Sequence, residues 1–213
     1  MKSPACFLLG LLAAVVLRGA DSALAPLTPA QVAGDWQPLI SALGAKGPIQ
    51  ADFTERRYFP FRTQPTLLHG ILRISPERGL SLQYLGDDPN ILIADPSGLL
   101  IRDSGGRSRD LPADSHEGGA IASLLPIMRF DFAALFPRFD VQAQRSGDTW
   151  RFEFTPKDPE AARALGLITV VGTGTEVRHL QFRHSANQRV DIDVENPRSG
   201  AAFTPAELAQ FFR

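Results

Sequence analysis

Cysteine is almost absent from this chain of 213 residues: the only one, Cys6, lies in an apolar stretch from Ala5 to Leu17. Lysine is scarce as well, with Lys2, Lys46 and Lys157 set against nineteen arginines, a bias that carries no functional weight. Neither sign of charge dominates, at 22 basic and 23 acidic residues. There is no long hydrophobic run beyond Ala5–Leu17, and that one is too short to span a bilayer as a helix. Lys2 before it and Arg18 after it give the stretch the form of a secretory signal peptide over residues 1–22. Cleavage is expected after Ser22 or after Ala25, where Pro26 is a poor following residue. Cys6 then leaves with the signal, so the mature chain has no disulfide, no thiol nucleophile and no N-terminal cysteine to carry lipid.

Removing residues 1–22 takes away Lys2, Arg18 and Asp21, which leaves 20 basic and 22 acidic residues and a formal charge of −2. No nucleic acid or anionic membrane surface is implied by that balance. The expected product is an exported, soluble periplasmic protein, with residues 23–213 as one domain.

Catalytic signatures are missing too. The chain has no G-x-S-x-G elbow, H-E-x-x-H, P-loop or dinucleotide glycine fingerprint, so neither an enzyme nor a cofactor is expected. Asp114-Ser115-His116 sets three triad residue types side by side, but adjacent side chains seldom converge as a triad requires, and the segment reads as a loop. His179 and His184 have opposite parity on one strand, which defeats chelation of a metal. Asp191, Asp193 and Glu195 share a face, and pairing across a hairpin explains them better than calcium.

What is present is a series of short strand patterns after one helix. Thr28-Pro29-Ala30-Gln31 offers a hydroxyl cap, proline at the first helical position and glutamine three residues after the cap. A helix is predicted from there to about Leu43, with Val32, Trp36, Leu39, Ile40 and Leu43 on one face. Ile49, Ala51 and Phe53 then alternate with polar residues. Strands follow at Thr66–Ile74, Leu80–Leu85, Asn90–Asp95 and Leu99–Asp103, separated by short turn segments that imply an antiparallel meander. Both parities of these strands are apolar, so each face needs a cover. The N-terminal helix can supply one; the other is predicted at Ala120–Phe136, whose apolar residues follow helical spacing across an interruption at Pro126, after a Gly118-Gly119 hinge. This stripe reads either as core or as a movable lid.

Strands return at Phe139–Gln144 and Thr149–Thr155, and Asp158-Pro159 starts a short helix that stops at Gly166. In the last hairpin, a loop at Ala186-Asn187-Gln188 sets Leu180, Phe182 and His184 opposite Val194, Ile192 and Val190. The other face then pairs His179 with Glu195, Gln181 with Asp193 and Arg183 with Asp191. Thr204-Pro205-Ala206-Glu207 is a second capping box. The class is mainly β with helices, an α+β container with an oily inside.

Signal peptide, amphipathic helix, Ile49-x-Ala-x-Phe53-x-x-Arg56, Gly70-Ile71-Leu72-Arg73-Ile74-x-Pro76, Gly79-Leu80-x-Leu82 and Ile91-Leu92-Ile93-Ala94-Asp95-x-x-Gly98-Leu99 occur in that order. This series resembles the periplasmic outer-membrane lipoprotein carriers, the LolA-like proteins, from about Leu27 to Phe203. The resemblance implies an incomplete antiparallel β barrel closed by helices, which carries acylated lipoprotein or lipid, as a monomer, from an inner-membrane transporter to an outer-membrane receptor. In that family an arginine directly before the proline ending the second predicted strand holds the lid closed. Here Ser75 precedes Pro76, with Arg73 and Arg78 nearby, and the family's tryptophan-rich strands carry Leu72, Leu80 and Leu82, as in a divergent relative.

By parity, the wall of such a lipid-binding cavity is Leu68, Leu72, Ile74, Leu80, Leu82, Trp150, Phe152 and Phe154; the lid is Ile121, Leu124, Leu125 and Met128. Two other functions are compatible with the residues. One is a sensor or adaptor that binds a lipidated or exporter partner on the same scaffold. The other, the weakest, is a lipid hydrolase using Ser115 and His116.

Overall fold

The computed structural model describes residues 23–115 and 124–213. The signal-peptide segment, His116, the Gly118-Gly119 pair and Ile121 lie outside the described residues. No helix among the described residues is long and apolar enough to cross a membrane.

Twelve antiparallel strands form one sheet. The first meander contains β2 (Ile49–Tyr58), β3 (Thr66–Ser75), β4 (Gly79–Leu85), β5 (Asn90–Asp95), β6 (Gly98–Asp103) and β7 (Ser108–Pro112). The second contains β8 (Phe139–Ser146), β9 (Thr149–Pro156), β10 (Leu167–Thr173), β11 (Glu176–Ser185) and β12 (Gln188–Ser199), with the short β1 (Ala25–Pro26) at its edge. Pairing of β12 with β2 joins the two. The order β1-β8-β9-β10-β11-β12-β2-β3-β4-β5-β6-β7 leaves β1 and β7 as separate edges. The sheet is therefore curved and open, an incomplete barrel covered by helices. Strands β1, β7 and β10 were not predicted from the sequence.

The predicted N-terminal helix is two helices, α1 (Pro29–Ala33) and α2 (Gln37–Gly44). Its start is as expected, with the Thr28 amide donating to Gln31 Oε1 at 2.8 Å and the Gln31 amide donating to Thr28 Oγ1 at 3.3 Å. The break lies at Gly34, at φ −106° and ψ −112°. Pro38 has no N–H to return to the Gly34 carbonyl, so a continuous helix would lose that bond in any case. The apolar stripe survives the break: Leu39 and Leu43 are buried, and Val32, Trp36 and Ile40 pack against the same core.

Pro126 starts a helix rather than interrupting one. It occupies the first turn of α3 (Leu125–Met128), and the break before α4 (Phe132–Leu135) comes at Phe130, whose φ is +53°. That left-handed backbone is costly for a bulky residue. Phe130 is nonetheless buried, with its ring edge-on to Trp150 at 5.8 Å. Asp131 then caps α4 by accepting from the Ala134 amide at 3.1 Å.

Both helix pairs pack on the inner face of β8–β10, in one core with Trp150, Phe152 and Phe154. The cover on the outer face of β3–β7 is instead α6 (Pro205–Phe211), which begins at the predicted capping box. Arg102 Nη1 donates to the Gln210 carbonyl at 2.6 Å, and Arg213 pairs with Asp95 at 2.9 Å and Asp110 at 2.8 Å. The remaining helix, α5 (Pro159–Leu165), is capped by Asp158 and ends at Gly166, as expected.

The last hairpin keeps its predicted faces but not its register. Ala186-Asn187 form a two-residue turn, and the partners are His179 with Asp193, Leu180 with Ile192, Gln181 with Asp191, Phe182 with Val190 and Arg183 with Arg189. This is a slip of two residues from the sequence expectation, with an irregularity between Arg183 and Ser185. A two-residue slip returns every side chain to its original face, so hydrophobic parity alone does not distinguish the registers.

Candidate functional site

The inner face of the β2–β5 and β11–β12 region is not filled. It encloses a cavity of about 560 Å³, within the usual range for small-molecule sites. Register arranges the inner face in rows. Ile49, Ile74, Leu80 and Ala94 lie side by side across β2–β5, followed by Ala51, Leu72, Leu82 and Leu92. The next row is Phe53, Gly70, Tyr84 and Asn90. Gly70 is required there because a Cβ would lie 2.5 Å from the Phe53 ring and 2.2 Å from the Gln83 carbonyl. Phe53 meets Tyr84 edge-on at 5.3 Å. Leu180, Ile192 and Val194 form the facing wall.

Of the residues expected to line a cavity, Leu72, Ile74, Leu80 and Leu82 do so. Leu68 packs on the cluster behind them, outside the lining. Trp150, Phe152 and Phe154 share the inward parity but do not border the cavity, because the two helix pairs press on them and leave them 1 %, 0 % and 0 % exposed. In the segment expected to form a lid, Leu124 and Met128 border the cavity, and Met128 touches the cores on both sides of it. Leu125 is buried behind the lining, packed with Ala94 and Leu99.

Both Arg73 and Arg78 point to the C-terminal helix and not to Leu124 or Met128. Arg73 alternates with Leu72 and Ile74, so it faces outward, where its guanidinium lies 3.6 Å from the centre of the Phe211 ring and donates to Gln83 at 3.0 Å. Burial lowers its pKa, against the opposing pull of Glu207. Arg78 donates to the Arg213 carbonyl at 2.9 Å. Both arginines hold the C-terminal helix.

The sequence reading passed over a polar cluster in the cavity wall. Glu55 is 2 % exposed and turned inward. The Tyr84 hydroxyl donates to Glu55 Oε2 at 2.6 Å, Arg57 Nε donates to Glu55 Oε1, and Arg57 Nη2 lies 3.4 Å from the Tyr84 hydroxyl. Burial, and then the neighbouring Glu55 charge, push the Tyr84 phenol well above its ordinary pKa. Burial works against the Arg57 charge, but the bond and charge of Glu55 outweigh it and raise its pKa. The signal was available: continuing the alternation of Ala51 and Phe53 by two and four residues brings Glu55 and Arg57 to the inner face.

The cavity lining also carries Lys46, Arg129, Glu176, His184 and Arg189, while the remaining polar candidates lie outside it. His179 Nδ1 is 2.8 Å from Asp193 on the outer face, and Asp191 receives Gln181 at 2.8 Å and Arg189 at 3.1 Å. Ser115 donates its hydroxyl to the Pro112 carbonyl at 2.5 Å.

No protein-family model matches the chain, and no curated protein matches it. Solved structures do. A LolA superfamily protein from Nitrosomonas europaea is 8 % identical at a TM-score of 0.42, covering 81 % of this chain and 96 % of that one. A domain named for outer-membrane lipoprotein sorting from Vibrio parahaemolyticus is 6 % identical at 0.44, covering 82 % and 94 %. LprF from Mycobacterium bovis is 12 % identical at 0.39, covering 84 % and 97 %.

Proposed function

We propose that the protein is a non-enzymatic carrier that holds the acyl chain of a lipid or lipoprotein in its cavity. In this reading residues 1–22 direct export, the mature chain works as a monomer in the periplasm, and cargo passes from an inner-membrane donor to an outer-membrane receptor. The observation that carries it is the aliphatic wall of Leu72, Ile74, Leu80 and Leu82 around unfilled space, with Leu124 and Met128 against it.

Burying a chain of about 16 carbons gains up to roughly 12 kcal/mol at ~0.8 kcal/mol per methylene, before the loss of protein contacts and chain freedom is subtracted. Cargo displaces Leu124 and Met128 from the wall, so these residues compete with it and bring net affinity down to a level that permits handover.

The test is native mass spectrometry, with organic extraction, of protein purified from the periplasm of its own organism. Recovered lipid or acylated polypeptide supports the reading. Empty protein that also fails to take up fluorescent acyl lipids would overturn it.

A further inference from the structure

The β2–β5 wall of the cavity changes character along its length. The two rows that begin with Ile49 and Ala51 are wholly apolar, whereas Glu55 and Arg57 follow Phe53 toward the opposite end of β2. A charged pair on the wall of an apolar cavity is expensive to bury, and replacing such a pair by apolar residues is often neutral or stabilising. Its placement beside the space that receives the chain calls for a role there.

The charge arithmetic defines that role. Glu55 and Arg57 together are neutral, and both Glu55 oxygens are already occupied, one by Tyr84 and one by Arg57. Arg57 carries five N–H donors. Two of them are directed at Glu55 and Tyr84; its side chain is 39 % exposed and borders the cavity. The cluster therefore presents hydrogen-bond donors without a net positive charge. A carbonyl oxygen of an ester or amide suits these donors. A free carboxylate brings a second negative charge beside Glu55, where low dielectric makes repulsion strong.

We propose that Glu55, Arg57 and Tyr84 form a head-group subsite that accepts the ester or amide linkage of an uncharged acyl lipid and rejects free fatty acids. This rests on the acyl-binding reading above and adds a chemical class to it. Glu55 is the discriminating residue, because it neutralises the guanidinium that would otherwise hold a carboxylate.

The experiment compares 1-monopalmitoylglycerol with palmitate, of equal acyl length, near neutral pH. Wild type is expected to bind the glycerol ester at least tenfold more tightly. Glu55→Gln leaves the Arg57 charge uncompensated, so palmitate should gain about tenfold relative to the ester. The double variant Glu55→Gln/Arg57→Met, which removes both charges, should bind the two alike, and thermal melting confirms that each variant is folded. Equal binding of both lipids by wild type would overturn the subsite and leave the carrier reading intact, as would an equal effect of Glu55→Gln on both. If neither lipid binds wild type, both readings fall. The wild-type comparison stands even where a variant does not fold.

Discussion

Strands β9 and β3 alternate in the same way and turn apolar residues to the same side of the sheet, but with opposite results. On β9, Trp150, Phe152 and Phe154 are sealed into a solid core, whereas Leu72 and Ile74 on β3 border open volume. The cause is the size of the side chains and what covers them. Phe152 alone meets Trp36 at 5.1 Å, Phe132 at 5.2 Å and Trp150 at 5.3 Å, so rings from α1–α4 and their connections fill the space over this half. Over the other half the leucines are shorter, and Leu43, Leu124, Met128, Phe130 and Leu165 border the space from the helical side without filling it. One half is packed solid, and the other borders open volume.

The sharpest test of that division is a pair of truncations. Phe152→Ala should cost about 3–5 kcal/mol, the usual range for deleting a fully buried ring. Leu82→Ala should cost about 1 kcal/mol or less, since its side chain already faces a void and loses few contacts. Urea denaturation measures both, and equal losses would erase the distinction between the halves. A smaller effect is expected at Gly172, where a Cβ would lie 2.1 Å from Trp150 Cζ2 and 2.4 Å from the Glu176 carbonyl. Gly172→Ala should therefore cost about 1–3 kcal/mol through overpacking. Gly47→Ala, with nothing within 4 Å, is the control. A neutral Gly172→Ala would mean that the aromatic half is looser than its burial implies.

The legible part of the fold was the part written in period and caps. The β2–β6 meander, both capping boxes and the Gly166 stop follow from alternation and terminal chemistry. The split at Gly34 was readable from Pro38, but the unbroken apolar stripe of Val32 to Leu43 masked it. Which half would be solid was not readable, because parity gives Phe152 and Leu82 the same direction and says nothing of what lies above them. Glu55 and Arg57 continue the inward parity of Ala51 and Phe53, but an apolar pattern ends where charge begins, so it does not mark them as part of the wall. The hairpin register escaped for a different reason: a slip of two preserves every face, and turn length alone decides it.

The smallest effect lies at the seam where the two halves join. Across β11, β12 and β2, Asp193 accepts from His179 and pairs with Arg56. Burial pushes the Asp193 carboxyl upward, but the bonds and charges of His179 and Arg56 outweigh it and hold the carboxyl below its ordinary 3.8. A carboxyl with a depressed folded pKa contributes stability that is complete above its unfolded value and is lost as pH falls through the folded one. Both Asp193 and Arg56 are more than a third exposed along their side chains, at 35 % and 39 %, so solvent screening limits the contribution to under about 1 kcal/mol. Asp193→Asn should thus lower the melting temperature modestly near neutrality, and its curve should converge with wild type in acid, below the ordinary carboxyl range. Parallel curves across that range would show that the seam is held by the ladder between β12 and β2 alone. The two halves would then be joined by backbone, with the polar outer face contributing nothing to their union.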